Sequence, residues 1–445
     1  MKLKLITPTL IICLCFLVFN IIANELRVHS ADYCERYENE KGLSGEFRVD
    51  SVQMAGVDRM RLSLKDRTTN RKLIAYVDMN ENWYTGNELR LSGIFRLLPK
   101  DEEFDYRIYM LKKGYCGELK QPEILEESTE GSGVIWHFDL RKELDSLRIG
   151  MISSLLTKLS EPSAGLVIAV VFGDTFLFSD ELEEDFRQIG ITHLVAVSGA
   201  NFVLLIGLAT FFLAKVPLRR RLILLGIIGT IYMYWVGFAN LPAFRAYLFS
   251  MLYLLQLFTG RRISKINLFA IGLVLIASSA QGFYADLGLQ LSLSAWAGVN
   301  LVLSPIMHKL QTIPEPFRSE FFASGLGTAV LLPITMLFFG QVNLLSVMFN
   351  ALLVPIFGIA NILFISLIPL SYSGLQFPSW IWKLSDNAIN LLLKLISYFS
   401  NFEFVVMTGE SLAYLILLLA PTYLIFMIYN YAQKQKSSIS ARNIA

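Results

Sequence analysis

The sequence predicts a mainly α membrane protein: a polytopic helical bundle of about 8–10 spans with a small OB-like β-barrel domain outside the cytoplasm. Three observations carry that expectation. Of 445 residues, 54% are hydrophobic and only 17% are charged, whereas soluble domains carry about 25% charged residues. Charge is concentrated in residues 24–150 and sparse in residues 190–430, so the two regions face different solvents. Apolar runs of about 20 residues, the length that crosses a hydrocarbon core, recur through the second region. The net charge of +2 is too small to point to a partner.

The first apolar run, Ile6 to Ala23, follows Lys2 and Lys4. It reads as an N-terminal transmembrane anchor over residues 1–23, with the basic start inside. A cleavable signal peptide is the rival, but no small-x-small cleavage site follows. Residues 24–140 read as the extracytoplasmic β domain. Alternating runs occur at Gly45 to Val52, Met60 to Leu64, Lys72 to Val77 and Glu88 to Phe95, separated by turn residues such as Thr69-Asn70 and Thr85-Gly86-Asn87. Short antiparallel strands at this spacing suit an OB-type barrel. Of the 4 cysteines, Cys13 and Cys15 lie in the first apolar run, while Cys34 and Cys116 bracket the polar region. In an oxidising compartment these last two form a disulfide; two free thiols are the alternative.

An acidic stretch from Glu123 to Glu130 and a strand-like Val134 to Phe138 follow. Residues 141–190 read as an amphipathic helical connector, with Leu147, Met151, Leu155 and Leu159 at i, i+4 spacing. The polytopic domain spans 191–431, with apolar runs near 191–214, 222–240, 241–258, 266–283, 286–306, 320–340, 343–370 and 411–431. Residues 432–445 form a cytoplasmic tail. Arg219-Arg220-Arg221, Arg261-Arg262 with Lys265, Lys309 with Arg318, and Lys434 with Lys436 fall on one side if the N-terminus is inside, which makes that side cytoplasmic. The run 343–370 contains Pro355 and Gly358 and reads as a broken helix or hairpin; 380–398 is amphipathic and suits the membrane surface.

One segment, residues 173–208, carries a polar amphipathic stretch, then Thr192-His193, then an apolar run bearing Ser198-Gly199. This resembles the core signature of the competence DNA-uptake channel (ComEC) family, in which a loop ending in Gly-Asp precedes a helix, a His-Leu run and a Ser-Gly pair. Other pieces follow in the family's order: Phe104 to Leu111 with Gly114; Pro242-Ala-Phe-Arg245-Ala; Gly288 to Ser294; and Phe339-Gly-Gln341 with Asn350 and Pro355. Where the family often has Ser-Gly-Leu-His, this chain has Ser198-Gly199-Ala200-Asn201, so an imidazole role at that place is lost. Many relatives also carry a C-terminal metallo-β-lactamase-like domain, which is not expected within these 445 residues.

The resemblance implies a multi-pass protein of the inner (plasma) membrane, with both termini cytoplasmic and the barrel outside. It would pass single-stranded DNA inward during natural competence. Its partners would be single-stranded DNA, membrane lipid, a separate DNA receptor, a cytoplasmic ATPase or DNA-binding proteins, and a second copy in a homo-oligomer. Intramembrane polar residues tend to face a cavity or the bundle interior. Ser198, Asn201, Arg245, Asp286, Gln290, Ser294, Gln341 and Asn350 are therefore the candidates for the DNA path. Asp286, Gln290 and Ser294 are spaced to form one helical stripe. Arg245 suits a phosphate, since guanidinium binds it bidentately. Interhelical hydrogen bonding and, for Arg245, snorkelling are the competing readings. On the barrel, Arg59, Arg61, Lys65, Arg67, Arg71 and Lys72, with Phe47, Tyr76 and Tyr84 nearby, suit an electrostatic groove for a single strand; a solvated charged face is the alternative.

No Gly-x-x-x-x-Gly-Lys-Ser/Thr loop occurs, so a motor would be a separate protein. The 4 histidines, His29, His137, His193 and His308, are scattered, which speaks against a metal hydrolase; no metal, cofactor or catalytic residue is expected. An intramembrane enzyme using Ser198 is the first alternative, but His193 lies about 140° around the helix from it. A small-molecule transporter would carry paired broken helices in two halves. A degenerate channel homologue serving as a scaffold is the remaining alternative.

Overall fold

A computed structural model describes Leu17, Ile21, Cys34, Leu331 and residues 42–78, 83–98, 106–127, 140–279, 283–297, 341–343, 345–401 and 406–408, apart from positions 57, 196, 198, 238, 239, 262, 264 and 376. The N-terminal anchor (save Leu17 and Ile21), the strand expected at Val134 to Phe138, residues 298–306 of the apolar run 286–306, the run 320–340 save Leu331, the run 411–431, and Ser198 lie outside the described residues.

The barrel comes first. β1 (Leu43–Met54), β2 (Arg59–Asp66), β3 (Lys72–Asp78), β4 (Glu88–Leu97) and β5 (Tyr115–Glu127) close in the order β1-β2-β3-β5-β4, with β3 and β5 parallel and the other neighbours antiparallel. This is an OB-like barrel. Its core follows from the period-two pattern: Phe47, Val49, Leu62, Leu64, Leu73, Ala75, Leu89, Leu91 and Leu119 point inward and are buried. The β2–β3 turn places Asn70 at φ 60°, and the Asp66 carboxylate accepts the Thr68 (2.7 Å) and Thr69 (3.2 Å) amides. Strand β5 was hidden in the sequence by its acids, of which Glu118 is half-buried and Glu123 exposed. Gly117 is needed there, because a Cβ would come 2.3 Å from the Phe95 ring and 2.6 Å from the Arg96 carbonyl oxygen. A short helix, α1 (Tyr106–Lys112), precedes β5. Cys34 and Cys116 are disulfide-bonded, with Cα atoms 5.6 Å apart, inside the barrel core.

The connector is not one amphipathic run but three helices: α2 (Leu140–Leu156), α3 (Glu161–Phe172) and α4 (Asp180–Gln188). Pro162 sits in the first turn of α3, where its missing N–H does no harm. Gly173, at φ 83°, ends the helix in the left-handed region. Every residue from Ser163 to Phe172 is buried, so α3 is a core helix rather than a surface one.

Then come α5 (Thr192–Val195), α6 (Gly199–Phe212), α7 (Leu218–Val236), α8 (Leu241–Thr259), α9 (Lys265–Ser279), a 3-10 turn (Phe283–Ala285) and α10 (Leu287–Ala297). α8 packs against α6, α7 and α9. The last helices are α11 (Ser346–Tyr372) and α12 (Ser379–Ser400), with the short strands β6 (Gln341–Asn343) and β7 (Val406–Thr408) paired antiparallel. The break expected at Pro355 is absent: α11 runs unbroken through 27 residues. A proline removes only one backbone donor, and its apolar surroundings leave the rest of the ladder intact.

Among the described residues, three stretches are long and apolar enough to cross a membrane: Thr192–Phe212, Leu241–Thr259 and Met348–Tyr372. Large apolar side chains stand outward on the bundle, among them Phe211 (74% exposed), Phe212 (75%) and Ile359 (74%). The described residues divide into two compact units. The larger holds the barrel, α2, α3, α5–α9, most of α10 and the greater parts of α11 and α12. The smaller holds the end of α4, the start of α11, the end of α12 and the β6–β7 pair.

Candidate functional site

Two places in the larger unit gather polar side chains that the fold alone does not require. The first is a cleft of about 340 Å³ between the barrel's β1–β2–β3 face, α2 and the end of α7. Strand register builds its barrel wall. Arg48 on β1 lies opposite Lys65 on β2, which lies opposite Lys72 on β3, which lies beside Tyr115 on β5, so three cations and a phenol cross four strands in one row. A register shift between Val49 and Ser51 releases Asp50 from the ladder, and its carboxylate takes the Lys72 ammonium at 2.8 Å. The ammonium also lies 5.8 Å from the centre of the Tyr115 ring, whose hydroxyl is 3.0 Å from Ser63 Oγ. Burial works against the Lys72 charge, but Tyr115 and Asp50 outweigh it and hold the pKa above the ordinary lysine value.

The opposite wall comes from α2 and α7. Asp145 on α2 accepts the Thr85 backbone N–H at 2.8 Å; the Trp235 indole N–H donates to the Leu144 carbonyl at 2.9 Å. Burial pushes the Asp145 carboxyl up, against the pull of the Thr85 N–H. A carboxyl raised by folding favours the folded state at low pH, and that contribution is lost as pH rises through its folded pKa. Asp145→Asn keeps an oxygen for Thr85. It is expected to match or slightly exceed the parent's thermal stability at neutral pH and to fall behind as pH drops through the carboxylate range, which melting curves across that range check.

Beneath the cleft lies a pair that the sequence reading passed over. Arg148 (3% exposed) and Asp174 (4% exposed) meet at 2.5 Å, and Arg148 Nη1 donates to the Val52 carbonyl of β1 at 3.3 Å. The guanidinium also lies over the Phe172 ring, 5.6 Å from its centre. Asp174 is the aspartate of the Gly-Asp pair that ends α3, so this pair joins barrel, α2 and α3. Burial pushes its carboxyl up while Arg148 opposes the shift. The hint in the sequence was two charges, Asp145 and Arg148, interrupting the apolar spacing of α2.

The second place is the start of α8. Asn240 caps it, accepting the Ala243 N–H at 3.2 Å, and Pro242 occupies the first turn. Arg245, one turn on, directs Nη1 at the Ser292 carbonyl of α10 over a long 3.4 Å, lies over the Phe249 ring at 5.9 Å, and has a buried Nε with no hydrogen-bond partner. Gly199 stands alongside: a Cβ there would be 3.9 Å from Arg245 Nη2. Arg245 thus sits where α6, α8 and α10 converge.

The other path candidates are dispersed. Asn201 Nδ2 donates to the Val170 carbonyl at the end of α3 (2.7 Å), and Asn361 of α11 donates to Asn201 Oδ1 at 3.3 Å. Asp286 precedes α10 rather than belonging to it. Its carboxylate accepts the Leu289 N–H at 2.8 Å and pairs with Lys113 at 2.6 Å, at the end of α1. Gln290 donates to the Tyr284 carbonyl at 2.6 Å. The expected stripe of Asp286, Gln290 and Ser294 is thereby shortened, because the helix begins one residue after Asp286. Asn350 donates to the Gly190 carbonyl at 3.3 Å within the smaller unit. Gln341 lies in β6, and Ser198 falls outside the described residues. Of the six barrel cations singled out in the sequence, Lys72 lines the cleft and the other five do not; Arg67 is paired with Glu88 at 3.0 Å. The sequence reading missed Arg48 and Arg141, which do line it. Among the described residues no group of three His, Cys, Asp or Glu side chains is placed to hold a metal ion.

Comparison with known proteins bears on both places. "ComE operon protein 3" of Bacillus subtilis (strain 168) is 26% identical over 294 residues, which is 64% of this chain and 36% of that protein; the chain therefore spans about a third of its relative's length. No solved structure matches. A sequence model of the family described as "Competence protein" matches residues 170–434, a stretch that contains Asp174, Asn201, Arg245 and Asn350 and more than half of the sequence. On that match, the chain belongs to the competence protein family.

Proposed function

We propose that the chain passes single-stranded DNA across the inner membrane during DNA uptake, as a conduit without catalysis of its own. The barrel lies outside the cytoplasm in this reading, and the bundle is multi-pass with cytoplasmic termini. The outward apolar side chains of α6 and α11 support a lipid surround, since a water-facing helix would not present them together. Family membership supports the link to DNA uptake.

The observation that carries the reading is Arg245. A guanidinium among apolar helices is costly unless something anionic meets it. Its hydrogen bond to the Ser292 carbonyl is long and its Nε is unmatched, while Gly199 leaves room beside it. A passing phosphate supplies two oxygens in the geometry that the fork requires. The amide contact between Asn201 and Asn361 and the Lys113–Asp286 pair belong to the closed arrangement. When helices part for a strand, these groups exchange one another for phosphate and water. The patch of Arg59, Arg61, Lys65, Arg67, Arg71 and Lys72 serves as the outer electrostatic approach. A separate receptor, a separate motor, lipid and other copies of the chain complete the machinery.

The test is a deletion strain supplied with labelled DNA. DNA should still collect at the surface and fail to reach the cytosol. Complementation with Arg245→Gln at matched protein level should lower transformants by about 100-fold, a loss of roughly 2.7 kcal/mol in the rate-limiting passage, while Arg245→Lys retains part of the activity. Normal transformation in the Arg245→Gln strain would remove the conduit reading.

A further inference from the structure

We propose that the end of the bundle formed by the α6–α7 and α8–α9 turns is a binding site for an anionic glycerophospholipid. The lipid phosphate lies on Lys215, Arg219, Arg220 and Arg261, and its acyl chains run along an apolar rim beside them. This goes beyond the conduit reading and shares with it only the lipid surround.

Helix packing brings the four cations to one level. α7 and α8 run antiparallel as neighbours, and Leu222 near the start of α7 packs with Leu254 near the end of α8, against Ala209 and Leu213 at the end of α6. The α6–α7 turn, which carries Lys215, therefore lies at the same end as the turn after α8, which carries Arg261. Both turns are fixed by their own hydrogen bonds. The Val216 N–H donates to the Leu213 carbonyl at 2.9 Å, and the Arg221 N–H donates to the Pro217 carbonyl at 2.9 Å. After α8, Gly260 takes φ 70° and the Ile263 N–H donates to Gln256 Oε1 at 3.1 Å. Turns ordered in advance lose little further freedom when a ligand arrives.

No acid in these helices answers the four cations. Lys215, Arg219, Arg220 and Arg261 are exposed, and none has an ion-pair partner among the described residues. The sequence gives the reason: no Asp or Glu occurs between Asp185 and Asp286, a stretch that holds all four. Their counter-charge comes from outside.

The rim selects the class of anion. Phe211 (74% exposed) and Phe212 (75%) lie a turn before Lys215, Leu218 (55%) precedes Arg219, and Phe258 (47%) lies a turn before Arg261. A soluble polyanion or an acidic protein surface would neutralise the arginines and leave these side chains in water. A phospholipid carries phosphate and hydrocarbon on one molecule and covers both. Guanidinium forks bind phosphate oxygens in pairs. The lack of acids also discriminates between headgroups. A choline or ethanolamine ammonium finds no partner here, whereas a phosphatidylglycerol headgroup brings negative charge alone.

The experiment measures binding of tail-labelled fluorescent phosphatidylglycerol and phosphatidylcholine, with identical chains, to the purified full-length chain in a neutral detergent. Phosphatidylglycerol is expected to bind about tenfold more tightly, each basic side chain beside an anionic headgroup contributing severalfold. That preference should shrink as salt is raised. Arg219→Gln with Arg220→Gln should weaken phosphatidylglycerol binding by about tenfold and change phosphatidylcholine binding by less than about twofold. Arg219→Lys with Arg220→Lys keeps the charge and should keep most of the preference. Arg96→Gln, which removes an exposed charge from β4, should alter neither lipid's binding beyond about twofold. If the double glutamine variant does not fold, Lys215→Gln with Arg261→Gln is read in the same way. Equal binding of the two lipids, an unchanged preference in the glutamine variants, or equal displacement by inorganic phosphate or by oligo-dT would overturn the proposal. The last two outcomes would make the patch a general anion or nucleic-acid contact. The two readings fail separately. Normal transformation in Arg245→Gln with the lipid preference intact removes the conduit alone. Lost transformation in Arg245→Gln with no lipid preference removes the lipid site alone.

Discussion

Replacing Arg148 with alanine is expected to destabilise the larger unit by about 3–5 kcal/mol, the cost of leaving one partner of a buried ion pair behind. Arg148 and Asp174 are 3% and 4% exposed and meet at 2.5 Å, so losing the cation leaves a buried carboxylate without its partner. The same change removes the hydrogen bond to the Val52 carbonyl and the contact over Phe172, which separates β1 from the end of α3. The effect has a pH signature. Burial already pushes the Asp174 carboxyl up and Arg148 restrains it, so without the arginine it rises further. A group raised by folding stabilises the folded state at low pH and loses that contribution as pH rises through its folded pKa. The deficit of Arg148→Ala should therefore be greatest near neutral pH and shrink as the medium is acidified. Melting of the purified protein measures both effects. The double change Arg148→Met with Asp174→Leu should recover most of the loss, because a buried pair is often replaceable by apolar side chains of similar volume. A double variant as unstable as the single one would mean that the pair does more than neutralise itself.

Removing the disulfide is expected to cost about 2–5 kcal/mol of barrel stability. The bond joins Cys34 to Cys116 across 82 residues and so ties the segment before β1 to the start of β5. In the chain-entropy account, a loop of that length restricts the unfolded chain by about 4.5 kcal/mol. Both sulfurs lie in the barrel core, so alanine is the proper replacement; serine would add buried hydroxyls. Cys34→Ala with Cys116→Ala should speed proteolysis within residues 42–127 while leaving cleavage within α7 and α8 unchanged. Reduction of the parent protein under mild denaturant should reproduce the same pattern, and equal resistance of parent and double variant would show that the bond contributes nothing to the barrel.

The reading of residues into structure succeeded where one local rule acted alone. Four barrel strands were visible because apolar and polar residues alternate in Gly45 to Val52, Met60 to Leu64, Lys72 to Val77 and Glu88 to Phe95. β5 escaped notice because Glu118, Glu123, Glu126 and Glu127 make it resemble an acidic linker; on the closed barrel Glu118 is half-buried and Glu123 exposed, off the core face. Pro355 suggested a break that α11 does not contain, since proline's local penalty is small against a long apolar ladder. α3 read as part of an amphipathic connector, yet it is enclosed on every side, and enclosure depends on neighbours that sequence spacing does not reveal.

The amino-acid sequence by itself determined which stretches are apolar enough for lipid, where strands alternate, that Cys34 and Cys116 were available to one another, and the motif order that marks the family. These are properties of composition and short-range period, which each segment carries wherever it ends up. Only the tertiary structure decided which polar side chains meet: that Arg148 finds Asp174, that Asp286 finds Lys113, and that Asn201 donates to the Val170 carbonyl at the end of α3 while accepting from Asn361. The physical reason is that a charge's partner is set by closure of the barrel and packing of helices far apart in sequence. Position along the chain does not encode that distance.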